Sequence, residues 1–173
     1  MTMGICRFHH FRFFCVLIAF FSIWGFVPAP FVFAQKTVNL YFLDPSDTHL
    51  TAETRQIPEA ERIEQSARAI LEALLTGPRK GLVRAIPEGL SLRTLFFTEE
   101  KIAYVDFQKS PDSRMERGVL SEWLAVYSIV NSLVLNIPEI ESVQILIDGR
   151  EVTTLSGHID LTDPVKANML LVR

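Results

Sequence analysis

Every one of the 20 carboxylates in this chain lies after Ala34. That asymmetry divides the sequence into two parts suited to different surroundings. The first part carries Arg7 and Arg12, with His9 and His10 between them, and then a dense apolar run from Phe13 to Val27. A basic start, an apolar middle and small residues before a cut mark a secretory signal. Pro28 and Pro30 break any helix, and Val32-Phe33-Ala34 offers a cleavage site before Gln35. Residues 1–34 are therefore expected to be a signal peptide. An uncleaved N-terminal anchor is the rival reading, since Phe11 to Val27 is 17 residues and a bilayer span needs roughly 17–25. Neither Phe13-Phe14-Cys15 nor Gly4-Ile5-Cys6 has the small residues of a lipobox. On either reading the rest of the chain is exported, to a periplasm or another extracytoplasmic space.

Removing 34 of 173 residues leaves 139, the length of one domain. A domain of that size buries a core without covalent staples. It has none to use: Cys6 and Cys15 both precede the cut, which removes disulfides, thiolate metal sites and a Cys nucleophile from consideration. Seventeen basic residues less Arg7 and Arg12 leave 15 against 20 acidic ones, a net charge of −5 for residues 35–173. With no basic stripe there is no electrostatic footprint for nucleic acid, and charge does not draw the domain to anionic lipid. Membrane association is expected only if the N-terminal segment is uncleaved.

Along residues 35–173, strand and helix patterns alternate. Val38-Asn39-Leu40-Tyr41-Phe42-Leu43 reads as a strand ended by Asp44-Pro45, and residues 44–57 read as a polar loop. Ile63, Ala67, Ile70, Leu71, Leu74 and Leu75 make one apolar helical stripe. Pro58 is read as a first-turn proline, and Gly77-Pro78 as the helix stop. Leu90 to Phe97 and Lys101 to Phe107 form a hairpin. The second helix, Val119 to Leu135, is apolar nearly all round, with Leu120, Trp123, Leu124, Tyr127, Val130 and Val134 as its expected core stripe and Glu122, Ala125, Ser128 and Ser132 as a narrow small or polar strip. So greasy a helix must be deeply buried or covered. Val143 to Ile147 then turns at Asp148-Gly149, a favoured hairpin pair, into a strand over Arg150 to Leu155. The expected fold is α+β: two helices packed on one face of a mixed β-sheet, in the order β-α-β-β-α-β-β.

Chemistry is sparse. Ser156, His158 and Asp160 lie on one short segment, so they cannot converge as a hydrolase triad drawn from different elements, and no Gly-x-Ser-x-Gly elbow occurs. Only His49 and His158 remain after the cut, without clustered carboxylates, so no metal site is expected. Gly157-His158-Ile159-Asp160 reads as a structural turn, with a binding site as the alternative. Asn131 reads as a buried amide bonded to backbone, with ligand contact as its alternative. Glu116 and Glu122 are not spaced as a glycosidase pair, and Trp123 and Tyr127 read as core with glycan stacking as the alternative.

Several segments, in this order, resemble the GerMN domain of spore-germination and other bacterial envelope proteins. They are Leu40-Tyr41-Phe42, Leu74-Leu75-Thr76-Gly77-Pro78, Ile86-Pro87-Glu88-Gly89, Tyr104-Val105-Asp106, Tyr127-Ser128-Ile129-Val130-Asn131-Ser132-Leu133, Val143 to Gly149, and Thr154-Leu155-Ser156-Gly157-His158-Ile159-Asp160. Together they cover nearly all of residues 35–173. The resemblance implies an exported, often membrane-tethered α+β domain that supports envelope complexes and cell-wall remodelling, with no catalytic residue and no cofactor. Unlike the spore-forming type, this chain has one such domain rather than two in tandem. The expected function is a non-catalytic binding or scaffold domain of the cell envelope, with envelope proteins as partners. Two alternatives stand: a peptidoglycan-binding accessory, and a hydrolase built around Ser156, His158 and Asp160.

Overall fold

The computed structural model describes residues 34–46, 48–113 and 118–173. The expected signal segment up to residue 33 and Glu116 lie outside the described residues. In chain order the elements are β1 (Gln35–Leu43), β2 (Leu50–Pro58), α1 (Ile63–Thr76), β3 (Leu90–Phe97), β4 (Ile102–Lys109), α2 (Val119–Val134), β5 (Ser142–Ile147), β6 (Arg150–Glu151), β7 (Val165–Lys166) and a 3-10 turn, Met169–Leu171. The fold is α+β, with two helices on a mixed sheet.

The larger sheet runs β3-β4-β5-β6. β4 and β5 are parallel, so the chain must cross over between them, and α2 is that crossover. β6 and β7 both pair antiparallel with β5. β4 occupies one edge of β5, so the two short strands share the other edge, end to end. α1 packs on β3 and α2 on β5, and the helices pack on each other. The core between them includes Ile70, Leu71, Leu74, Val105, Phe107, Ile129, Leu133 and Ile145. A bulge leaves Arg93 without a partner in the β3–β4 register, and its guanidinium reaches Asp106 on β4 at 2.7 Å. Asp106 also accepts from the Gly149 amide at 2.9 Å. That bond braces the turn after β5, where Asp148 and Gly149 both take positive φ, 52° and 78°, as the turn type demands.

The second sheet is the β1–β2 hairpin, and it corrects the reading of residues 44–57 as a loop. Only 44–49 connect the strands, organised by the Asp44 carboxylate, which accepts from the amides of Ser46, Thr48 and His49. β2 alternates buried and exposed like any half-buried strand. Two of its buried positions are Glu53 and Arg55, so the pattern looks polar in sequence although the strand faces inward. Pro58 ends β2 rather than opening α1. At the other end of the chain, the expected strand over 150–155 is cut short at Glu151. Residues 152–164 form an irregular loop instead.

α2 keeps Leu124 and Val130 of its expected core stripe buried but departs from the expected assignment elsewhere. Glu122, Ala125, Ser128 and Ser132 are buried, while Leu120 and Trp123 are exposed. The reason lies in β1, whose outer edge faces the helix. Ser132 Oγ accepts from the Tyr41 amide at 3.0 Å, and Ser128 Oγ donates to the Tyr41 carbonyl at 2.6 Å. Asn136 does the same for Asn39, accepting from its amide at 2.9 Å and donating to its carbonyl at 2.7 Å. Leu43 completes the edge by bridging to Val83. Positions 128, 132 and 136 lie one turn apart, so a helix stripe replaces the neighbouring strand that β1 lacks.

Candidate functional site

Glu122 sits in the first turn of α2 with its side chain 0% exposed. An isolated buried carboxylate is costly, and this one is heavily compensated by a single loop. Its Oε1 accepts from the Thr154 hydroxyl at 2.5 Å, the Leu155 amide at 2.8 Å and the Ser156 amide at 2.9 Å. Its Oε2 accepts from the Ser156 hydroxyl and the His158 amide, both at 2.8 Å, and from His158 Nδ1 at 3.1 Å. Six donors meet a group with roughly four lone-pair directions. No lone-pair direction is left to accept a further hydrogen bond while the group stays ionised. Burial pushes the Glu122 carboxyl upward, but the Thr154 hydroxyl and the Ser156 and His158 bonds outweigh it, and its pKa is held down at about 2. The N-terminal end of the α2 dipole favours the same charged state.

The loop reaches this shape through local means. Gly157 takes φ +103°, a conformation that an L side chain rarely adopts, and its amide donates to Thr154 Oγ1 at 2.7 Å. Further on, the Leu161 amide donates to Thr153 O, and Gln144 Nε2 on β5 donates to Leu161 O at 2.8 Å. The loop is thus fastened to α2 at one end and to the sheet at the other.

Of the four residues singled out in the sequence, Ser156 and His158 come together, and they do so on Glu122. Asp160 stands apart: its carboxylate accepts from the amide and hydroxyl of Thr162. Asn131 is fully buried on α2. Its Nδ2 donates to Asn168 O at 3.0 Å and its Oδ1 accepts from Asn168 N at 2.9 Å, which ties the C-terminal segment to the helix. The residue that sequence reasoning passed over as a site member is Glu122. A signal was available, because it is the only charged residue from Val119 to Asn136.

A second buried charge cluster closes α1. Arg55 Nε meets Glu53 Oε1 at 2.6 Å, with side chains 2% and 6% exposed. The guanidinium also donates to Ala73 O and Gly77 O at the C-terminal end of α1, while Glu53 Oε2 accepts from the amides of Arg79 and Lys80. Arg84 adds bonds to Leu75 O and Thr76 O. Among the described residues no group of three or more His, Cys, Asp or Glu side chains is placed to hold a metal ion. None of the described helices is long and apolar enough to cross a membrane.

The family model described as "Germane: Sporulation and spore germination" matches residues 39–153. Among solved structures, the first GerMN domain of the sporulation protein GerM from Bacillus subtilis aligns with a TM-score of 0.61 at 20% identity, over 76% of this chain and 97% of that one. The tandem GerMN domains of the same protein align with a TM-score of 0.58 at 18% identity, over 77% of this chain. This chain spans 46% of that tandem structure, about half its length. A putative lipoprotein from Clostridium perfringens aligns with a TM-score of 0.54 at 20% identity, over 77% of this chain and 88% of that one. No curated protein sequence matches.

Proposed function

The chain belongs to the Germane family of sporulation and spore germination, and from that premise we propose that residues 35–173 act as a non-catalytic binding or scaffold domain in the cell envelope. The observation that carries this reading is the wiring of Glu122. A nucleophilic hydrolase needs its Ser hydroxyl on the His and its acid behind the His. Here the Ser156 hydroxyl and the His158 ring both point at one saturated carboxylate, and Asp160 is bonded to Thr162. The constellation fixes the shape of a loop. An exported location fits the signal-like N-terminal segment, and a structural neighbour described as a putative lipoprotein is compatible with it.

In-cell crosslinking of the tagged full-length chain tests the proposal, with captured material identified by mass spectrometry. The expected result is one or two envelope proteins, absent when residues 35–173 are deleted. Wall fragments in abundance with no protein partner would overturn it in favour of a glycan-binding accessory.

A further inference from the structure

The edge strands of this domain are not finished alike. β1 has its outward amides and carbonyls at Asn39, Tyr41 and Leu43 taken up by Asn136, by α2 and by Val83. β3 is bent by the bulge at Arg93, whose guanidinium is held by Asp106. β2 has neither device. In an antiparallel ladder, opposed residues either exchange both backbone bonds or point both groups away from each other. Asn39 and Tyr41 point theirs away, so Thr54 and Ala52, which they oppose, do the same on the far side, as does Gln56 opposite Thr37. All three are exposed, and among the described residues no other backbone group reaches their amides or carbonyls. The edge is occupied at Leu50, where the Arg173 amide donates to the Leu50 carbonyl at 3.0 Å and Val172 bridges in parallel. No Lys, Pro or bulge interrupts it from Leu50 to Ile57. Such an edge is a template for a further strand.

We infer that the edge from Ala52 to Gln56 pairs antiparallel with the same edge of a second copy of this chain, about a two-fold axis at Thr54. The charge pattern of β2 selects that occupant. A two-fold contact sets a surface against itself, so a strand suits it only if it complements its own reversal. Reversed about Thr54, Ala52 meets Gln56 of the second copy and Glu53 meets its Arg55, in both directions. Opposite charges across a ladder stabilise it, and like charges weaken it. Moving the axis by one residue, to Glu53 or Arg55, sets like charges face to face. Moving it by two runs the pairing into Leu50, already taken by Val172 and Arg173, or into Pro58, which has no amide to give. With the axis at Thr54 both obstacles fall outside the paired stretch, and Ala52, Thr54 and Gln56 each exchange both backbone bonds with their counterparts. Charges that point inward from an edge ordinarily discourage pairing. Here their burial is already complete: the Arg55 and Glu53 side chains are 2% and 6% exposed and bond each other at 2.6 Å. Pairing therefore adds a second partner without fresh desolvation. The contact involves no residue of the Glu122 loop and holds whether or not an envelope protein binds elsewhere.

Cys6 and Cys15 both precede Gln35, and Phe33–Arg173 is one compact unit with its own core. A chain beginning at Gln35 therefore folds on its own and carries no thiol. In that chain Thr54→Cys places two thiols at the axis, with Cα atoms about 5.5 Å apart, inside the roughly 4.4–6.8 Å range of a disulfide. Ala52→Cys places them four residues out of step, about 14 Å apart. Under mild oxidation Thr54→Cys should give a disulfide-linked dimer. Ala52→Cys alone should give none, but should crosslink to Gln56→Cys when the two are mixed. In unaltered protein, raising the concentration from micromolar to millimolar should double the mass by light scattering and slow amide exchange at Ala52, Thr54 and Gln56 together. Thr54→Pro, which removes the central amide while keeping the circular dichroism, should stay monomeric. A monomer at millimolar concentration, with those amides exchanging at an unchanged rate, overturns the inference. So does equal crosslinking of Thr54→Cys and Ala52→Cys, which marks random collision. A dimer that survives Thr54→Pro assigns association to another face. Amides protected only by added envelope extract, and never by concentration, assign the edge to another protein's strand instead.

Discussion

Glu53 and Glu122 are both buried carboxylates that fasten irregular chain to a helix end, yet they are neutralised in opposite ways. Glu53 has a full counter-charge, Arg55, which also donates to Ala73 and Gly77 carbonyls at the C-terminal end of α1. Among the described residues Glu122 has no Arg or Lys partner, and it relies on amides, hydroxyls and one imidazole at the N-terminal end of α2. The difference follows the helix dipole, which favours cations at C-terminal ends and anions at N-terminal ends. A buried acid near a helix C-terminus needs a cation between it and the helix. One at the N-terminus needs only donors.

The comparison predicts unequal penalties. Arg55→Met strands Glu53 as a buried charge and should cost about 3–5 kcal/mol of stability in urea unfolding. Adding Glu53→Leu should recover most of that loss. A double variant no better than the single would show that neutralisation is not what Arg55 contributes. Glu122→Gln keeps the shape but sets an amide group against donors, and should cost about 1.5–3 kcal/mol. Amide exchange at Leu155, Ser156 and His158 should quicken, while exchange in the interior of α1 stays slow. Uniform quickening would mean that the loop is not held as a separate unit.

Acid sharpens the contrast next. Glu122 is held at about 2 against an ordinary 4.5. A carboxyl depressed in this way stabilises the fold fully above 4.5 and loses that contribution as pH falls from 4.5 toward 2. Glu53 is depressed too, because its bonds to the Arg79 and Lys80 amides and to Arg55 outweigh burial. Wild-type stability should therefore fall across this window, and Glu122→Gln should fall less steeply, the two curves converging as pH drops. Parallel curves would remove Glu122 from the account. The smallest effect is expected from His158→Ala. Its ring supplies one of six donors and is 33% exposed, so the cost should stay below about 1 kcal/mol by thermal unfolding.

Elements with clean periodicity were legible in the sequence: β1, α1, the β3–β4 hairpin and the Asp148-Gly149 turn all follow from spacing and turn chemistry. β2 was hidden by its own interior, because charged Glu53 and Arg55 occupy positions where hydrophobic residues announce a strand. The inward strip of α2 was hidden for a related reason. Ser128 and Ser132 read only as part of a narrow small or polar strip, and only the unpaired edge of a strand more than 85 residues earlier gives them partners in the interior. Ser156 and His158 stood out as residue types, but their convergence on Glu122 spans 34 and 36 positions. Local pattern carries no information on such a pairing.

The closure of β1 by α2 also has a consequence in time. The hairpin it belongs to is synthesised first, but the side chain that satisfies Asn39 arrives 97 residues later. At about 5–20 residues per second the strand waits on the order of 5–20 s with that flank bare. The interval invites pairing with other nascent chains, so a factor that shields emerging strands should matter more for the yield of this protein than its final stability suggests.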